Sequence, residues 1–206
     1  GLTSSWESTC VVSNTAFVNN AGTVTINSGL KWVDIHDSAF ANNTGTVTIN
    51  AGLTSSWEST CVVSNTAFVH NAGTVTINTS HILIVNTAFA TNNGTVTINV
   101  TTYLRMGNAA FATNNGTVTM NAKIRIDISR NAFATNTGTI TIKGGSSKWV
   151  SNDAFTTNTG IITINGGNKT GIHKAAFQSN SGYVTFSNIV TLRLVKDDYV
   201  AGDDDF

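Results

Sequence analysis

The chain has 206 residues, with 11 Lys and Arg against 11 Asp and Glu, four His, two Cys, 18 Gly and no Pro. Charged residues make up 11% of it, less than half the usual share of about 25%, and the even balance argues against a protein held to nucleic acid by counterion release. No apolar run exceeds four residues, as at 82–85, far short of the roughly 20 residues that span a bilayer as a helix.

In chain order, the first segment, Gly1–Thr9 with Trp6, returns as Gly52–Thr60 with Trp57, and residues 1–27 and 52–78 are identical except that Asn19 corresponds to His70. Both segments read as bulges on a repeating array. No basic stretch followed by an apolar one stands at the start, so a secretory signal would have been removed or would lie upstream. From residue 12 onward the chain is periodic. Ala-Phe recurs with Phe at 17, 40, 68, 89, 111, 133, 155 and 177, at intervals of 21 to 28 and mostly 22 residues. Each Phe is followed three positions later by Asn (Asn20, Asn43, Asn71, Asn92, Asn114, Asn136, Asn158, Asn180) and two further on by Gly, without exception.

After each Gly comes Thr-Val-Thr-Ile-Asn with small changes, the alternation of a half-buried strand. A second alternating stretch precedes each Phe, as in Ile124–Ile128, and its position five before Phe is always apolar, from Val12 to Ile172. A unit this short cannot bury its own apolar face, so neighbours must stack and share one core. The expected fold is all-β: a parallel β-solenoid of about eight 22-residue coils over residues 1–188. Residues 189–206 would close it with the strand Ile189–Val195 and an acidic cap carrying Asp197, Asp198 and Asp203–Asp205. Phe would stack in the core, Asn would satisfy turn backbone groups with its side chain, and Gly would supply a positive φ.

The run Ile-x-x-x-Ala-Phe-x-x-Asn, as in Ile35, Ala39, Phe40 and Asn43 or Ile128, Ala132, Phe133 and Asn136, resembles the BspA-like leucine-rich repeats of bacterial and protist surface proteins. The likeness covers residues 12–188, without the Leu usual six after Phe and with Asn27, Asn50 or Asn78 in place of the Pro after the strand. It implies a parallel-sheet solenoid, secreted or surface-bound, used for adhesion.

Cys10 and Cys61 stand seven before their Phe, where other units carry Val33, Ile82, Leu104 and Ile126, and so read as buried thiols. With one coil between them, their Cα atoms would lie about 9–10 Å apart, beyond the reach of a disulfide. Asp34 and His36 with Ser13 or Ser64 permit a Ser/His/Asp triad to be drawn, yet nothing in the pattern supplies a pocket or oxyanion hole. No catalytic residue, metal site or cofactor is expected. His70, His81 and His173 read as surface residues, and Asn-x-Ser/Thr at Asn42, Asn78, Asn93, Asn99, Asn115 and Asn168 follows from composition.

The outward positions of the first strand form the candidate binding face: Thr23, Thr25, Thr46, Thr48, Thr74, Thr76, Thr95, Thr97, Thr117, Thr119, Thr139, Thr141, Thr163 and Thr185, with Ile161 and Tyr183 the two departures. Stacked coils would set them in two files about 7 Å apart along the strand and about 4.8 Å between coils. The Thr-x-Thr grid resembles the ice-binding face of insect antifreeze solenoids. The outward positions of the other strand are varied, with Asp34, Leu83, Arg105, Asp127 and Trp149. The sequence therefore leads to a non-enzymatic extracellular or cell-surface structural or adhesive protein, self-assembling head to tail into filaments or meeting an extracellular ligand, with no nucleic acid and no membrane span. The alternative is an ice-binding protein.

Overall fold

The computed structural model describes residues 9–29, 32–52, 60–151, 153–173 and 175–195. Trp6, Trp57 and the acidic residues beyond 195 lie outside them. Among the described residues there is no helix, and the strands form one parallel sheet of 15 and one of eight. The chain is a β-solenoid of about eight coils, each laid on the one before it.

Each coil repeats three strands. The second-strand element, for example Trp32–Ile35 or Arg125–Ile128, leads through the Ala-Phe corner to a short strand such as Asn42–Asn43. A Gly turn then opens the Thr strand, for example Thr46–Asn50. In the middle of the array the Thr strand runs on into the next coil's second strand, as Thr74–Ile84 and Thr95–Met106. Like residues pair across coils: Thr95 lies against Thr74 and Thr117, and Leu104 against Ile82 and Ile126. The expected alternating strand near the end is present as Thr191–Val195, paired in parallel with Lys169–His173.

Alternation puts Val47, Ile49, Val33 and Ile35, and their counterparts in later coils, into one continuous core. The eight Phe rings form a single column with centroids 4.6–5.2 Å apart and interplanar angles of 1–16°. The six from Phe40 to Phe155 are fully buried, and burial of this kind dominates the stability of a sheet core.

The turns differ from expectation at glycine. The repeated glycines do not adopt the left-handed conformation. Two residues just before Ala-Phe adopt it instead: Asn65 and Thr66 have φ of 49° and 64°, Asn86 and Thr87 56° and 57°. Asn tolerates this region because its side chain is short and polar, while the Thr87 hydroxyl donates to the Asn86 carbonyl at 2.7 Å. Gly is required for a different reason. A Cβ on Gly94 would penetrate the backbone of Gly73 in the coil below, and the same overlap recurs at Gly45, Gly73, Gly116, Gly138, Gly160 and Gly182.

The turn role expected of Asn holds in part, since its amide donates to a backbone carbonyl of the turn, but it has a second and shorter bond. Its main partner is the equivalent Asn of the next coil: Asn43 Nδ2 donates to Asn71 Oδ1, Asn71 to Asn92 and Asn92 to Asn114, each at 2.8 Å. The second amide proton makes only a long contact of 3.4 Å to the Gly carbonyl two residues on, as from Asn92 to Gly94. The Asn backbone carbonyl holds the turn above it, Asn71 accepting from Asn93 and Gly94 at 2.8 and 3.0 Å.

Candidate functional site

The Thr strands build the candidate face. Thr23, Thr46, Thr74, Thr95, Thr117 and Thr139 pair in sequence, and the file continues through Ile161 and Tyr183. The second file, Thr25, Thr48, Thr76, Thr97, Thr119, Thr141, Thr163 and Thr185, is Thr throughout. The structure therefore brings all 14 predicted Thr residues onto one face. Because Val and Ile between them are buried, the hydroxyls and methyls point outward.

A third file, which sequence reasoning did not find, flanks them. Asn50, Asn78, Asn99 and Asn121 each donate from Nδ2 to the Asn of the preceding coil at 2.7–2.8 Å, reaching back to Asn27. The fixed Asn after each Thr-Val-Thr-Ile was its signal. This file borders a groove of about 560 Å³ lined also by Val100, Thr101, Ala122, Lys123 and Lys143, next to the register shift between Val100 and Tyr103.

The second-strand face carries the titratable groups. His36 Nδ1 lies 2.6 Å from Asp37 Oδ2, whereas its Nε2 is 4.0 Å from Asp34. The imidazole is thus oriented by its sequence neighbour in the turn and not by Asp34, the acid of the drawable triad. Four coils on, the nearly buried Asp127 carboxylate accepts from the Tyr103 hydroxyl and, at 2.9 Å, from Arg125 Nε. Burial and the Asp127 charge push the Tyr103 hydroxyl well above its ordinary range. His81 stands edge-on to Tyr103 at 4.9 Å and lies partly buried, which lowers its pKa.

Cys10 and Cys61 are both free and belong to one inward column with Val33 between them. Burial, then the charge of Asp34, pushes the Cys61 thiol up to about 12. The next members of that column are Ile82, Leu104 and Ile126, followed by Lys148 and Thr170. Lys148 is 1% exposed. Its ammonium donates to the carbonyls of Gly166 and Gly145, and burial lowers its pKa to about 8. Reading the Cys column one coil further along the sequence, from Ile126 to the position seven before Phe155, would have found it.

Among the described residues no group of three or more His, Cys, Asp and Glu could hold a metal ion, and no helix is long and apolar enough to cross a membrane. No family model, no curated protein and no solved structure matches this chain.

Proposed function

We propose that the chain is a non-enzymatic structural or adhesive rod of an extracellular or cell-surface protein, acting through flat faces and associating with copies of itself. The observation that carries this reading is the register. Every coil repeats the same Phe, Asn, Gly and Thr columns, so what the molecule offers a partner is a periodic surface. Low charge and uniform Thr suit contact with an extended, regular partner. Self-association is supported by Phe186, Leu192 and Leu194 on the inward columns, exposed by 38%, 48% and 76%, an apolar surface that a second copy would cover. Sedimentation velocity and electron microscopy of the whole chain over a wide concentration range test this part. Rods joined end to end are expected, reverting to monomers in Leu194→Lys; monomers at every concentration refute it.

A second reading, ice binding, is favoured by one observation, the Thr files paired without a shift through the coils. Thermal hysteresis in the intact chain that disappears in Thr97→Tyr or Thr119→Tyr supports it. An intact chain without thermal hysteresis removes it.

A further inference from the structure

The neutral total conceals a segregation of charge. Residues 101–195 contain nine of the 11 basic residues and only two acidic ones, Asp127 and Asp153. Four of the nine stand on outward positions of the second-strand face. Arg125 and Lys169 share a file with Tyr103, and Arg105 and Arg193 share the adjacent file with Asp127 and Trp149. Arg105, Lys169 and Arg193 are exposed, whereas Asp127 is nearly buried and already held by Tyr103 and Arg125.

In the same file, Trp149 lies directly on Gly171. A Cβ at Gly171 would overlap the six-membered ring of the indole, so the absent side chain lets the ring rest on the sheet. Ser147, Lys169, Thr191 and Arg193 complete a slot of about 130 Å³ around it.

We propose that this face, from Tyr103 to Arg193, docks an acidic polysaccharide bearing uronic-acid carboxylates, laid along the rod axis. The Trp149 indole, resting on Gly171, offers an apolar body to the C–H face of a sugar ring, whereas the Tyr103 ring is covered by the Arg125 guanidinium 5.6 Å from its centroid. Arginine forks donate two parallel hydrogen bonds to a planar carboxylate. The spacing favours this polymer over nucleic acid. Arg105 and Arg193 are four coils, about 19 Å, apart at the ladder spacing, so the face supplies four cations over five coils, one of them held by Asp127, against one phosphate per about 1.7 Å of duplex DNA.

The proposal rests on the surface-contact reading but uses a face other than the Thr grid, so variants on the two faces separate them. Titration calorimetry of the whole chain with polygalacturonate, with neutral dextran and single-stranded DNA as comparators, tests it. Polygalacturonate is expected to bind at low salt, with affinity falling as salt rises. Arg105→Gln combined with Arg193→Gln weakens it roughly tenfold or more, Trp149→Ala also weakens it, and Thr97→Tyr leaves it unchanged. No binding at low salt, equal binding by the double Arg variant, or tighter binding of single-stranded DNA would overturn the proposal.

Discussion

Asn92 Nδ2 donates to Asn114 Oδ1 across 2.8 Å, and neither side chain is exposed to solvent. The buried ladder donates toward later coils, while the outer ladder, with Asn99 donating to Asn78, runs toward earlier ones. The two rows of amide dipoles therefore oppose each other along the axis, and each amide satisfies a neighbour that water cannot reach on the inner row.

Replacement of Asn92 by Ala leaves the Asn71 donor and the Asn114 acceptor unpaired in the core. Denaturant unfolding is expected to show a loss of about 2–4 kcal/mol. Asn99→Ala breaks an analogous pair of bonds where water can substitute, and its expected loss is below about 1 kcal/mol. Equal losses at the two positions would remove the distinction between the ladders.

The two ladders show what the sequence could and could not disclose. Residue spacing carries periodicity directly, so the Phe column, the inward Val and Ile positions and the Thr files were all legible. A ladder is a relation between coils, and the fixed Asn alone does not say whether its amide turns to its own backbone or to its counterpart. Gly94 is similar: one invariant glycine fits a positive φ or a close approach equally well, and only stacking decides. The segregated charge stayed hidden because Glu7, Glu58 and the Asp residues near the end balance the basic coils in the total.

Gly94→Ala places a methyl group against rigid backbone and is expected to cost at least about 3 kcal/mol or to prevent folding. Gly22 occupies the same place in its repeat, but a Cβ there would meet nothing within 4 Å, so Gly22→Ala is expected to change stability by less than about 0.5 kcal/mol. Thermal melts of the two variants make the comparison, and a tolerated Gly94→Ala would contradict close approach as the reason for glycine.

Lys148 gives stability a pH dependence of known sign. Its folded pKa of about 8 lies below the ordinary 10.5, so between these values the unfolded chain binds more protons than the folded one. Stability contributed by this group accordingly rises as pH climbs from about 8 to 10.5, and below pH 8 the cost of burying the charge is carried in full. Urea unfolding at pH 7 and pH 10 should show this rise, up to about 3 kcal/mol, and Lys148→Met should abolish it. An unchanged pH slope in the variant would place the titration elsewhere.

Cys61 is fully buried and its thiol is pushed up to about 12, whereas Cys10 is only partly covered. An aromatic disulfide reagent at pH 8 is expected to label Cys10 in the folded chain and to reach Cys61 only on unfolding. Rapid labelling of both thiols in the native protein would show that the inward column is open.

Equivalent residues of successive coils lie directly over one another. Spin labels report this with both native cysteines replaced by Val and new ones introduced as Thr48→Cys paired in turn with Thr141→Cys, Thr163→Cys or Thr185→Cys. These pairs are four, five and six coils apart, so electron–electron distances should increase in equal steps of about 4.8 Å, near 19, 24 and 29 Å. Distances that fail to grow by a constant step from one pair to the next would contradict the stacked rod.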